Sequence, residues 1–231
     1  MTYNKCMICG EKINSSLFCS EKCAYSSYAQ NYKNYYGYNE TTNARHKSDL
    51  LRFKYINQYL ENLKGADILD IGATEGNVHK MLINSNANNF IYSLDFKGTP
   101  DFKVDLNNPK DLNKKFDIII AGEIIEHLEN PTSFINYCFR HLKTSGRLIL
   151  TTPNSIGIQY LRNEAWCVSG EYPHINSFTI PMLCILLEQN GFRVQEKKKI
   201  NAFWKNINPL QLIPFIIPKL KTDLLIVGEK E

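Results

Sequence analysis

From Ala66 to Thr152 the chain repeats one device, a short apolar burst of strand length that closes on an acid or a turn, with helix-forming residues before the next burst. The first is Ala66-Asp-Ile-Leu-Asp-Ile-Gly-Ala-Thr-Glu-Gly76. Ile91-Tyr-Ser-Leu-Asp95, Phe102-Lys-Val-Asp-Leu106, Phe116-Asp-Ile-Ile-Ile-Ala-Gly122 and Gly146-Arg-Leu-Ile-Leu-Thr-Thr152 follow in order. Bursts of this kind are strands, and helical stretches between them give the alternating β and α of a doubly wound sheet. In such sheets a ligand sits outside the carboxyl ends of the strands, which is where Asp70, Asp95 and Asp105 fall. Gly72 and Gly76 let the backbone of the first turn take a positive φ and approach that ligand closely. Their spacing is not GxGxxG, so the dinucleotide fingerprint is absent.

A chain of 231 residues with 43% hydrophobic content can bury one substantial core and carry a small appendage. Its formal charge of +4 permits acidic or nucleic-acid partners without demanding them. The dense basic block is Lys197-Lys-Lys199, which reads as a solvated strand edge. No apolar run reaches eighteen residues and the N-terminus lacks a signal-peptide core, so a soluble, cytoplasmic protein is expected.

The series of bursts resembles the class I S-adenosylmethionine-dependent methyltransferases over nearly all of residues 65–231. The acid-rich glycine turn, Asp105-Leu106 and Ala121-Gly-Glu-Ile-Ile-Glu-His-Leu128 are similar to the branch holding ubiquinone-type O-methyltransferases and small-RNA 2′-O-methyltransferases. The resemblance implies an α/β, Rossmann-like, doubly wound sheet of seven strands. It also implies S-adenosylmethionine as cofactor, with Asp70, Gly72 and Gly76 at its methionine end and Asp95 on both ribose hydroxyls. Asp105 would accept from the adenine amino group, with Leu106 beside the ring and Ala121 completing the set. One departure is Thr74, which stands where the family has a middle glycine.

Chemistry is expected after the fourth strand. Glu123, Glu126 and His127 are spaced i, i+3 and i+4, which on a helix puts them on one face. That face suits a general base, His127, or the ligation of a divalent metal that acidifies an acceptor hydroxyl. Plain helix charges with His127 packed over the cofactor are the third reading. In the small-RNA enzymes that the run resembles, a histidine beyond the fifth strand completes a metal site, and His174 stands at a comparable place. Thr151-Thr-Pro-Asn-Ser155 and Tyr160 are candidates for acceptor contacts, and Ala202–Pro218 for a lid or protein contact. Asp223-Leu-Leu-Ile-Val-Gly228 reads as a final, antiparallel edge strand.

Cys6-Met-Ile-Cys9 and Cys19-Ser-Glu-Lys-Cys23 have the spacing of a four-thiolate zinc site. The segment resembles a short Phe-Cys-Ser type zinc finger, and Tyr25, Tyr28, Tyr32 and Tyr35 continue it as a helical stripe. Cys138, Cys167 and Cys184 stand singly in apolar segments and read as core residues. Three units result: 1–35, the small N-terminal zinc-binding module with its following helix; 36–64, a linker and a cofactor-covering helix over Arg45–Leu63; and 65–231, the catalytic domain. Arg45 or Arg52 could pair with the cofactor's carboxylate. The expected acceptor is a small molecule or saccharide. RNA is the alternative, disfavoured because no aromatic-interleaved basic cluster lies near the finger, and a non-catalytic cofactor-binding module is a third.

Overall fold

The computed structural model describes residues 4–5, 12–13, 42–73, 77–158, 173–200 and 217–231. Seven strands form one sheet: β1 (Asp67–Ile71), β2 (Phe90–Asp95), β3 (Phe102–Lys103), β4 (Phe116–Gly122), β5 (Leu142–Pro153), β6 (Phe192–Ile200) and β7 (Asp223–Lys230). Their spatial order is β3-β2-β1-β4-β5-β7-β6. β1 to β5 run parallel, and β7 pairs antiparallel with both β5 and β6. The order reverses between β1 and β4, which makes their shared carboxyl edge the switch point where ligands enter sheets of this kind.

Period-two alternation sends successive side chains to opposite faces, and both faces are packed. Leu69, Ile71, Ile119 and Ala121 face a core with Phe134 and Cys138 of helix α3 (Pro131–His141) and Leu183 and Leu187 of helix α4 (Ile180–Gln189). Ile68, Ile118 and Ile120 face the other core, against Ile56 of α1 (Thr42–Asn57), Leu60 and Leu82 of α2 (Asn77–Ser85). Helix starts follow their caps. Asn130 accepts from Ser133 N and Thr179 from Met182 N, each with a proline in the first turn of the helix that follows.

Several sequence expectations are corrected. Asp223-Leu-Leu-Ile-Val-Gly228 is not an edge strand: β7 is inserted between β5 and β6, buried along most of its length, and β6 forms the edge. The lysines at 197–199 lie on that edge, where charge discourages pairing with another chain. The third strand is cut to two residues because Asp105 turns the chain, its Oδ1 and main-chain oxygen accepting from Asn107 N and Asn108 N. The first helix ends at Asn57 rather than Leu63, closing through three-residue turns from Leu60 N to Asn57 O and Leu63 N to Leu60 O. Ile56 in the helix and Leu60 just beyond it are fully buried, while Leu51, Tyr55, Tyr59 and Leu63, which recur at helical spacing in the sequence, are half-buried.

Cys138 is fully buried, as its apolar setting implied, and Cys184 is half-buried. Cys6, Cys9, Cys19 and Cys23 lie outside the described residues, as do Thr74, Gly76, Tyr160, Cys167, the tyrosine stripe and most of the 202–218 insert. A two-residue antiparallel ladder, Asn4 and Lys5 against Ile13 and Lys12, brackets the Cys6–Cys9 pair. Among the described residues no helix is long and apolar enough to cross a membrane.

Candidate active site

Hydrogen-bond register brings the predicted ligand-binding positions to one edge. Leu94, Ile71, Ala121 and Leu150 form a row across β2, β1, β4 and β5. One residue further stand Asp95, Gly72, Gly122 and Thr151, so four strands present their ends together. Gly72 has φ +78°, and a Cβ there would collide with Ile124 Cδ1. Its N–H donates to Leu94 O at 2.8 Å, which fixes the turn against β2. Asp70 is buried beneath this turn with Oδ2 3.0 Å from His79 Nδ1. Burial pushes its carboxyl above the ordinary range, and His79 opposes the shift. Asp95 is half-buried and accepts from Lys97 N at 3.1 Å. Asp105 is exposed, while Leu106 packs against the core beside it.

Beyond β4 the chain departs from the expected helix. Glu123 takes a left-handed φ of 57°, and a single 3₁₀ turn, Ile125–His127, follows before Pro131 opens α3. Glu123, Glu126 and His127 therefore do not share an α-helical face. Glu126 is 1% exposed; Thr152 Oγ1 donates to its Oε2 at 2.9 Å, and its Oε1 has no hydrogen-bond partner among the described residues. Burial, then the charge of Glu123, raises its carboxyl well above the ordinary range. Its main-chain oxygen accepts from Ile175 N and Asn176 N, which brings the segment after Pro173 against the turn. His174 arrives on that segment, its ring 4.7 Å from the His127 ring and edge-on to it.

Glu126, His127 and His174 thus offer one carboxylate oxygen and two imidazole nitrogens, all within 4.8 Å of one another. His127 Nδ1 lies 3.1 Å from Pro173 O. A carbonyl only accepts, so Nδ1 carries the proton and, in the neutral ring, Nε2 presents its lone pair. That nitrogen is 3.8 Å from Glu126 Oε1. Burial and then the neighbouring His127 hold His174 down at a pKa of about 4, which keeps it neutral near pH 7. Two imidazoles and a carboxyl group suit either a proton acceptor or a divalent cation.

The model of a methyltransferase domain family matches residues 42–197. The chain belongs to that family. This methyltransferase is 27% identical over 174 residues to the mitochondrial ubiquinone biosynthesis O-methyltransferase of Bos taurus, covering 64% of this chain and 47% of the relative. It is 25% identical over 172 residues to the ubiquinone biosynthesis O-methyltransferase of Shewanella pealeana, covering 63% and 71%. The chain spans about half the length of the bovine relative and a quarter of the Rattus norvegicus one. Its fold is that of an S-adenosylmethionine-dependent methyltransferase from Archaeoglobus fulgidus, with TM-score 0.54, 16% identity and coverage of 80% and 94%. It matches one from Mesorhizobium loti at TM-score 0.57 and 14% identity, covering 81% and 100%. The chain therefore carries a methyltransferase-family domain built on a Rossmann-like, seven-stranded sheet.

Arg52, one of the two arginines singled out in the sequence, lies beside this site with acidic partners that the sequence did not reveal. Arg52 of α1 lies with Nη1 3.3 Å from Asp49 Oδ1, Nη2 3.4 Å from Glu123 Oε2 and Nη2 4.0 Å from Asp223 Oδ2. Burial pulls its pKa down, but Glu123, Asp223, Asp49 and Glu126 outweigh that and leave it above the ordinary value. Asp223 is driven well above the carboxylate range, chiefly by burial and then by Glu123. The one visible signal for Asp223 was an acid opening the apolar run Leu224-Leu-Ile-Val227, a position whose charge needs a buried partner. Thr152 belongs to the run singled out for acceptor contacts, but its bond to Glu126 was not legible there. Asn154, a candidate for acceptor contacts, is fully buried and instead staples the end of β5: its Nδ2 donates to Lys221 O and its N–H to Thr222 O, each at 2.7 Å.

Proposed function

We propose that this methyltransferase transfers the methyl group of S-adenosylmethionine to a hydroxyl oxygen of a small molecule or saccharide, with His127 and Glu126 as base and positioning group. The convergence of Glu126, His127 and His174 beside the common strand edge carries this reading. The edge fits the cofactor: Gly72 turns the chain at a φ of +78° with no side chain, leaving its backbone open to close approach, and acids end neighbouring strands. S-Adenosylmethionine supplies a methyl group already activated as a sulfonium, so the protein chiefly has to position the acceptor and remove its proton. In this reading the turn at Gly72, braced by Asp70 from beneath, meets the methionine end, and Gly76 is assigned to the same end from its place in the sequence. Arg52 faces the cofactor's carboxylate, Asp95 accepts from the ribose hydroxyls, and Asp105, Leu106 and Ala121 frame the adenine. His127, held by Pro173 O, points Nε2 at the acceptor and takes its proton, while Thr152 fixes Glu126 alongside. Hydroxyl acceptors are favoured because the similar curated proteins are named as O-methyltransferases of ubiquinone biosynthesis, and the same names support a small molecule over RNA.

A second reading of the same site has its own observation, the arrival of His174 on the other two ligands. Glu126, His127 and His174 would hold a divalent cation, which would acidify a bound hydroxyl. His127→Ala separates the two: loss of methyl transfer together with loss of one bound divalent cation supports the metal, whereas loss of transfer alone supports the base. At the N-terminus, Cys6, Cys9, Cys19 and Cys23 are proposed to hold a structural zinc. Their spacing supports this, as does the short ladder around the first pair. Elemental analysis should find about one zinc per chain, lost in Cys6→Ser.

A further inference from the structure

Glu123 is the first acid of the Glu-x-x-Glu-His run, yet it stands apart from the ligand set formed by Glu126, His127 and His174. Its carboxylate is turned to Arg52, Oε2 to Nη2 at 3.4 Å, and its buried Oε1 has no hydrogen-bond partner among the described residues. The contact is loose beside the 2.7–2.9 Å of a good charge-assisted hydrogen bond. Glu123 itself sits at φ 57°, a conformation that side chains bearing a Cβ adopt at a cost, with its N–H donating to Thr151 O at 2.9 Å. A strained backbone ending in a half-satisfied ion pair is an arrangement that a better carboxylate can displace.

The guanidinium lies at the strand edge proposed above for the cofactor. Arg52 Cδ is 3.7 Å from the position a Cβ on Gly122 would occupy, so the side chain overlies the end of β4 at the switch point. The anionic group of S-adenosylmethionine is its amino-acid carboxylate, able to make a two-pronged contact with a guanidinium. Glu123 also lies close enough to Glu126 to destabilise its charge, so a cation between the two acids would be welcome.

We propose that Glu123 is an exchangeable partner of Arg52: the cofactor's carboxylate replaces it, and the released Glu123 turns to the Glu126–His127–His174 set as a further ligand for a divalent cation. Cofactor and cation then strengthen each other's binding, by the same factor in each direction. The inference rests on the metal-assisted reading above and adds to it an order, the cation being held most tightly once the cofactor is in place.

Mn2+ binding to the full chain, followed by the electron paramagnetic resonance signal of the free ion, tests this with three additives. Saturating S-adenosylhomocysteine, which has the amino-acid carboxylate, should tighten Mn2+ binding on the order of tenfold. 5′-Methylthioadenosine, which lacks it, should bind without tightening. Free homocysteine, lacking the nucleoside, should have little effect at matched concentration. In Glu123→Gln the S-adenosylhomocysteine effect should vanish while the cofactor still binds. Equal Mn2+ affinity with and without S-adenosylhomocysteine in the unmodified chain, or tightening retained in Glu123→Gln, overturns the exchange and leaves the metal site standing. Absence of Mn2+ binding in every state, with S-adenosylhomocysteine bound, overturns the metal reading and the exchange with it.

Discussion

A buried carboxylate is held to its place by a few contacts, so single atoms at Glu126 have measurable consequences. Thr152 Oγ1 donates its hydrogen bond to Oε2 at 2.9 Å, and Thr152→Val keeps the shape while removing that donor. Leaving a buried acceptor unsatisfied should cost about 1–3 kcal/mol in chemical denaturation, and methyl transfer should fall while cofactor affinity holds. His174 sets a pH dependence for the metal-free chain. Its folded pKa of about 4 lies below the unfolded value of about 6.5, so the unfolded chain binds the extra proton first. Stability should therefore be fully present above pH 6.5 and fall as the pH drops toward 4, by roughly 3 kcal/mol from this residue, a loss that His174→Gln should abolish. At Gly72 an added Cβ meets both a positive φ and Ile124, so Gly72→Ala should cost about 1–3 kcal/mol, read as a lowered melting temperature.

Elements differ in how plainly the sequence announces them, and the active-site turn shows why. The ends of β1, β2 and β4 were legible because a buried strand needs a run of apolar residues, and the residue after the run is free to be polar. Ala121–Leu128 misled because i, i+3 and i+4 spacing also fits a short connection. Here a left-handed Glu123 and one 3₁₀ turn bring Glu126 and His127 to His174, whereas an α-helix would have lined up all three acidic and imidazole groups. The position of β7 was illegible because inward insertion depends on which strand it pairs with, not on its own residues. The link from α1 through Arg52 to β4 and β7 was hidden for a similar reason, since its partners are remote in sequence. Removing the cation leaves Asp49, Glu123 and Asp223 without it. Arg52→Met should therefore cost about 3–5 kcal/mol, and pairing it with Asp223→Asn should recover part of that loss in a double-mutant cycle of melting curves.

At the scale of the molecule, a sheet packed on both faces supplies a rigid platform, and the strand ends supply the chemistry. The row of Asp95, Gly72, Gly122 and Thr151 joins the half of that edge proposed for the cofactor to the Glu126–His127–His174 half. Helix α1 closes over the junction through Arg52. A ligand that binds only the folded chain should raise its melting temperature in a concentration-dependent way, and S-adenosylhomocysteine should do so. Titration calorimetry of S-adenosylmethionine into the unmodified chain and into Asp95→Ala tests the assignment of this edge most directly. One site per chain, weakened at least about tenfold by loss of the ribose-accepting carboxylate, is the expected result. Equal affinity in the two proteins would contradict it.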